Sequence, residues 1–538
     1  MSDNLSAIRT KVLGQLPQFI YLSEEYEISS DAHTVGELLD EAVATKGYAS
    51  QVMLRSDRVD FTYAESLERV NRIANVLVTE CGLKPGDRVL LRGSNSIGFA
   101  LSWLAVVKAG GVAVATMPLL RAKELRDILD KAKPTVAICD AALRDELDQA
   151  IVACGAIAAA IEVVIYNRAD APDDLGARAE KMSAEFATHA GSADDVAMLA
   201  FTSGTTGTPK AAMHTHRDLL CACNAWPKHV LKATSEDIVI GSPPLAFTFG
   251  LGGLLLFPMS VGASVYFPSK PYTPESMVQT IRDIGATITY TAPTFYRQMA
   301  AFAKDAPLPS LKKSVSAGEG LPDATRTLWR EATGIEMTDG IGATEMFHIF
   351  ISSPPEEVRR GAIGKVVPGY LAKVVDDEGN EVPRGTVGKL AVIGPTGCKY
   401  LDDPRQANYV KHGWNYPGDA FLQDEDGYFF YQARADDMII TSGYNVGGPE
   451  VEDALLKHPA VAECGVIGKP DDERGMIVKA FVVLKPSYAN DMNMVKTLQD
   501  HVKAMLAPYK YPREIEFRNA LPRTETGKLQ RFKLRAEG

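Results

Sequence analysis

The chain has 538 residues, of which 46% are hydrophobic and 23% charged, enough apolar material for several domain cores and too much for wholesale disorder. With 57 Lys+Arg against 68 Asp+Glu its formal net charge is −11, which weighs against nucleic acid or a membrane surface as its partner. Seven cysteines, odd in number and without a C-x-x-C pair, indicate neither a zinc site nor a disulfide framework.

The opening Met1-Ser2-Asp3-Asn4-Leu5 lacks the basic residues and apolar run of a signal peptide. Residues 88–91, 112–115 and 135–139 read as strands, separated by an apolar helix over 96–109 and an amphipathic one over 120–133. Strand and helix alternating at this spacing predict right-handed crossovers and a parallel sheet. The apolar stretch 150–166 contains Glu162, and the stretch 245–267 is broken by Gly250, Gly252, Gly253, Pro258 and Gly262, so neither reads as a membrane span. His214-Thr215-His216 alternates as two rings on one strand face would, but no third metal ligand stands nearby. A second α/β layer follows, with strands near 237–240, 264–267, 287–290, 313–316 and 335–338. From about 361 to 433, Gly, Pro and acidic turns separate short strands, as in an antiparallel sheet or barrel. After that, a helix from Pro449, strands 461–467 and 478–484, and a helix 494–505 read as a small α+β domain. From Lys510 onward eight basic residues meet four acidic ones, which reads either as a solvated helix or strand face or as a tail that meets something anionic. A cytoplasmic protein is the expectation, with domains over 1–433 and 434–538.

The segment with the most chemistry is Ala200-Phe201-Thr202-Ser203-Gly204-Thr205-Thr206-Gly207-Thr208-Pro209-Lys210. It follows an apolar strand and puts hydroxyls and glycines ahead of a lysine. Glycines let successive backbone N–H groups converge on an anion, and hydroxyls add donors. The string is not a Walker A loop, because its glycine precedes the lysine by three residues. It resembles the phosphate-binding signature of the acyl-adenylate-forming superfamily: acyl-CoA synthetases, non-ribosomal peptide synthetase adenylation domains and luciferases.

Four further stretches resemble that superfamily's other signatures, in the same order. They are Ile341-Gly342-Ala343-Thr344-Glu345, Tyr416-Pro417-Gly418-Asp419, the hinge-like run from Arg434-Ala435-Asp436 to Ser442-Gly443-Tyr444, and the lysine-bearing Leu521–Arg531 segment, which includes Gly527-Lys528-Leu529. The resemblance implies an α/β fold: a large N-terminal domain of two layered α/β subdomains plus a small β-barrel, then a small mobile C-terminal domain. It also implies a reaction in two halves. A carboxylate attacks the α-phosphorus of ATP to give an acyl-adenylate and pyrophosphate, and a thiol then displaces AMP.

Carried over by resemblance, Thr202, Ser203, Gly204, Thr205, Thr206 and Gly207 grip the β- and γ-phosphates, with Lys210 beside them. Glu345 holds Mg²⁺. Ala317, Gly318, Glu319, Gly340, Ile341, Gly342 and Thr344 shape the nucleotide pocket, and Asp339 accepts from the adenine amino group. Asp419 accepts both ribose hydroxyls, with Arg434 by the ribose or phosphates. Lys528 is the catalytic cation of adenylation, and Asp436 is the hinge. Rotation there would withdraw Lys528 and bring Ser442, Gly443 and Tyr444 to a pantetheine tunnel. Two departures stand out: Ile341 replaces an aromatic, and Ala433 replaces the glycine before the hinge arginine.

The acyl pocket is expected around Phe247, Thr248, Phe249, Gly250 and His348. These segments resemble the benzoate- and 2-aminobenzoate-CoA ligase branch, implying an aromatic carboxylate, ATP, Mg²⁺ and coenzyme A. A stand-alone adenylation domain loading a carrier protein and a non-catalytic adenylate-binding protein remain the alternatives. Pro522 ahead of Gly527-Lys528 resembles sites modified by bacterial lysine acetyltransferases, which would make such an enzyme a partner acting on Lys528.

Overall fold

The computed structural model describes residues 33–155, 161–168, 171–202, 209–435, 437–441, 444–471, 473–524 and 528–537. A six-stranded sheet is ordered Glu162–Tyr166, Val136–Asp140, Arg88–Arg92, Val112–Thr116, Val196–Thr202, Lys210–Thr215. Its pairings are parallel except the last, where Thr202 faces Lys210 across an antiparallel ladder. Connections through helices such as Ile97–Lys108 and Ala122–Ala132 account for the parallel register. Ser96 starts the first of these by accepting from the Phe99 N–H at 3.2 Å. Phe99 through Lys108 are all buried, so this is a core helix rather than an amphipathic surface one.

A nine-stranded sheet is built around parallel strands Met337–Gly342, Lys313–Ala317, Ile288–Thr291, Ile238–Gly241, Ser264–Phe267 and Val52–Ser56. Antiparallel strands close both edges. One continuous core joins the two sheets, from Val89 and Trp103 to Trp226, Phe257 and Tyr290. The apolar stretch before Ser264 folds as short helical segments, Thr248–Leu251, Gly252–Leu256 and Phe257–Val261. Gly253 is required there, because a Cβ would lie 2.7 Å from the Tyr290 ring. Among the described residues no helix is long and apolar enough to cross a membrane.

A third, antiparallel layer comprises Leu371–Val375, Gly388–Ile393, Val410–Lys411, Trp414–Asn415, Asp419–Gln423 and Phe429–Arg434. The small C-terminal domain has its own sheet, Tyr444–Val446, Ile439–Thr441, Gly475–Leu484 and Val461–Asp471, with Glu514–Phe517 parallel to Gly475–Leu484. Helices Gly448–Leu456 and Met492–Met505 supply Val451, Leu455, Leu498 and Val502 to a separate core, where they join Ile439, Val466, Ala480 and Val482 from the strands.

Candidate active site

The site lies where parallel strands of both sheets end, the usual place for a ligand crevice in layered α/β folds. Strand Met337–Gly342 runs into a single 3-10 turn, Thr344–Met346, that carries Glu345. Gly342 allows the approach, since a Cβ there would lie 2.6 Å from the His348 carbonyl oxygen. His214 donates from Nε2 to the Thr344 carbonyl at 2.8 Å, pinning the turn to strand Lys210–Thr215. Burial pushes the His214 pKa down, so the ring is neutral and that carbonyl selects its Nε2–H form. His216, two residues on, opens a helix and accepts the Val35 N–H at 3.1 Å, so each ring is committed to a different partner.

Glu345 is nearly enclosed. Its Oε1 accepts the Tyr400 hydroxyl at 2.5 Å and lies 3.4 Å from Lys210 Nζ. Lys210 Nζ also donates to the Tyr400 oxygen at 2.7 Å. Glu345 Oε2 takes no hydrogen bond from the described residues. One carboxylate oxygen left open suits a magnesium ion, which takes one or two carboxylates and completes its shell with phosphate oxygens and water. No group of three or more His, Cys, Asp or Glu side chains gathers to hold a metal among the described residues.

Asp419 and Arg434 face each other across paired strands, with Arg434 Nη1 3.3 Å from Asp419 Oδ1 and 2.8 Å from the Pro417 carbonyl. Gly418 has φ +86, a left-handed backbone that favours glycine, and it lies against the Arg434 guanidinium, whose Nη2 would sit 2.6 Å from a Cβ there. Asp339 is buried beneath Gly340, whose N–H it accepts at 2.9 Å, and Arg326 is 4.0 Å away. Burial outweighs both and lifts its pKa to about 6. Ile341 packs against the main core, as an aliphatic wall for this crevice.

Lys528 arrives from the C-terminal domain. Its turn is clamped by the Lys528 N–H on Thr524 Oγ1 at 3.0 Å and by the Thr524 N–H on the Lys528 carbonyl at 2.7 Å. The residue keeps a water-accessible surface, yet protein crowds it enough that desolvation lowers its pKa. Glu319, Asp419 and Glu345 act in the opposite direction, and Arg434 with the desolvation. Lys528 therefore stands among the same groups that the sequence picks out separately. Glu319 itself is lifted by burial, with Arg523 3.7 Å away. Gly318, at φ +90, and Ala317 end strand Lys313–Ala317 at this point.

The segments expected to form the acyl pocket converge on His348. Its ring centroid lies 4.5 Å from Phe257, 5.4 Å from Trp226 and 5.6 Å from Phe249. Burial pushes its pKa down to about 3, so it is neutral at physiological pH. Neither ring nitrogen makes a hydrogen bond of good geometry to the described residues, although the Phe249 backbone is close by. Trp226 Nε1 and the Tyr290 hydroxyl in the same cluster are also without one. Thr248 is buried, and Phe247 packs partly buried against the core. Gly250 faces the preceding loop, where a Cβ would lie 2.1 Å from the Pro244 carbonyl oxygen.

Tyr444 is 54% exposed and stacks on Tyr509 at 4.4 Å, on the surface of the small domain. Thr202 ends its strand with a buried hydroxyl. Ser203, Gly204, Thr205, Thr206, Gly207, Asp436, Ser442 and Gly443 lie outside the described residues. Tyr400, Arg326, Trp226 and Tyr290 are site residues that sequence reasoning misses, since none sits in a motif. His214 is visible in the sequence only as half of an alternating pair without a third metal ligand, a pattern that does not reveal the carbonyl it binds.

Comparison with known proteins identifies the family. Residues 39–399 match the AMP-binding enzyme family and residues 450–528 the AMP-binding enzyme C-terminal domain. The benzoate–CoA ligase of Thauera aromatica is 35% identical over 526 residues, 97% of this chain and 98% of that protein. The crystal structure of the anthranilate CoA ligase AuaEII in complex with anthranoyl-AMP superposes with a TM-score of 0.88 at 34% identity, covering 95% of this chain and 98% of the other. A benzoate CoA ligase from Burkholderia xenovorans LB400 gives 0.84 at 31% identity, covering 94% and 100%. The two-domain α/β architecture, the matched length and the ordered motifs lead to one conclusion: the chain belongs to the AMP-binding enzyme family and is an AMP-forming acid–thiol ligase.

Proposed function

We propose that this ligase activates an aromatic carboxylate of the benzoate or 2-aminobenzoate type and transfers it to coenzyme A. The observation that carries this is the ring cluster about His348, Trp226, Phe249, Phe257 and Tyr290. Ring-on-ring contacts contribute about 0.5–1.5 kcal/mol each beyond area burial, which rewards a flat substrate. Three side chains there hold buried polar atoms without good partners, each costing about 1–3 kcal/mol. A ring acid carrying an amino or hydroxyl group would recover part of that cost.

In this reading Thr202 and the loop after it, with Lys210, hold the phosphates of ATP. Glu345 would hold Mg²⁺, which supplies charge neutralisation for the phosphates. Asp419 accepts the ribose hydroxyls, Asp339 and Ile341 line the adenine side, and Arg434 lies between ribose and phosphate. Lys528 brings positive charge to the carboxylate and α-phosphate as adenylation proceeds. Rotation about Asp436 between domains 1–433 and 434–538 would then exchange Lys528 for the Ser442-Gly443-Tyr444 segment and admit the thiol. Lys528 would also be open to a lysine acetyltransferase, and modification would remove its charge.

The acid class is tested by the affinities of two non-hydrolysable acyl-sulfamoyl adenosines, one benzoyl and one octanoyl. Tighter binding of the benzoyl compound supports the reading. Equal affinity, or preference for octanoyl, overturns it.

A further inference from the structure

We infer that Tyr400 is a positioning residue that fixes the orientation of Glu345 for its metal, through a one-way hydrogen-bond relay from Lys210. The inference rests on the reading that places Glu345 and Lys210 at the nucleotide phosphates. A phenol has a single proton. Tyr400 gives that proton to Glu345 Oε1 at 2.5 Å, so Lys210 Nζ must donate to the phenol oxygen, at 2.7 Å. The order Lys210 to Tyr400 to Glu345 is therefore set by donor chemistry. It engages Oε1 and leaves Oε2 as the oxygen available to a cation.

Tyr400 is held as a structural member would be. It is 6% exposed, and its ring meets Tyr409 edge-on at 5.9 Å. Its backbone bridges to Ala212, two residues along the strand from Lys210. The Leu401 N–H donates to the Ala211 carbonyl at 2.9 Å, and Gln406 Oε1 accepts the Tyr400 N–H at 2.8 Å.

The test compares Tyr400→Phe with Glu345→Gln, using Mn²⁺ binding to the enzyme–ATP complex by electron paramagnetic resonance and AMP binding without metal by calorimetry. The phenylalanine keeps the ring and removes both bonds. Losing one charge-assisted hydrogen bond predicts Mn²⁺ affinity about tenfold weaker, with AMP affinity unchanged. Unchanged Mn²⁺ affinity in Tyr400→Phe, with a clear loss in Glu345→Gln, overturns the relay. No loss in Glu345→Gln overturns the underlying placement of Glu345. Gln406→Leu loosens the clasp on the Tyr400 and Cys398 backbones while leaving the phenol in place. It should give a smaller loss of the same kind, and supplies the comparison if Tyr400→Phe does not fold. Unchanged Mn²⁺ affinity in Gln406→Leu in that case also counts against the relay.

Discussion

Lys528, on the small domain, lies over Gly318 on the large one: a Cβ built on Gly318 would sit 3.8 Å from Lys528 Cε. The two domains thus meet in an arrangement with the lysine beside Glu319, Arg434, Asp419 and Glu345.

Lys528→Ala should slow pyrophosphate release by about a hundredfold, the size expected from removing one preorganised electrostatic partner of a transition state. The same variant should convert supplied acyl-adenylate to thioester at close to the parent rate. Rapid-quench measurement of each half-reaction checks this, and equal loss in both would contradict the role given to Lys528.

The contacts that dock the small domain can be tested in the same way. Asp453 Oδ1 accepts the Ala324 N–H at 3.1 Å, Lys457 lies 3.5 Å from Asp323, and Arg297 donates to the Leu456 carbonyl at 3.4 Å. Each joins the small domain to the large one. Asp453→Ala should reduce adenylation about three- to tenfold, the worth of one hydrogen bond, and leave thioester formation from supplied adenylate unchanged. A matching loss in both half-reactions would show that these contacts do not serve adenylation in particular.

Thr202, Glu345, Asp419 and Lys528 are legible in the sequence because each sits in a short local string that can be read without folding the chain. Tyr400 is not. It meets Lys210 only because its segment pairs with strand Lys210–Thr215, and a pairing over that distance leaves no local mark. Trp226 and Tyr290 are hidden for a related reason, since a buried aromatic reads as ordinary core until its neighbours are known. The α/β layers are legible from alternating strand and helix patterns. The stretch before Ser264 is less so, because a continuous apolar run does not say how Gly252, Gly253 and Pro258 divide it.

Asp339 predicts a pH effect. Its pKa rises from an ordinary 3.8 to about 6 in the folded protein, so the native state holds the proton more tightly than the unfolded chain. Stability from this group is therefore greatest at low pH and falls as pH rises through about 4 to 6, by roughly 2–3 kcal/mol in total. Asp339→Asn should flatten that part of the profile. Denaturant melts of both proteins across this range give the difference, and parallel profiles would contradict it.

His348→Leu tests the ring cluster. Leucine keeps apolar bulk and removes both ring nitrogens, so the KM for 2-aminobenzoate should rise about tenfold while that for benzoate changes little. Because His348 is held neutral down to about pH 3, its protonation contributes no pH dependence to KM near neutrality. Equal increases for both acids would assign His348 to packing alone.

The most direct test of the proposed ligase activity is pyrophosphate release from Mg-ATP with benzoate, 2-aminobenzoate, acetate and octanoate, each with and without coenzyme A. Sustained, CoA-dependent release is expected with a ring acid, with one CoA consumed per pyrophosphate and little release with acetate or octanoate. Release that stops near one equivalent per enzyme despite CoA, or that favours octanoate, would contradict an aryl-CoA ligase.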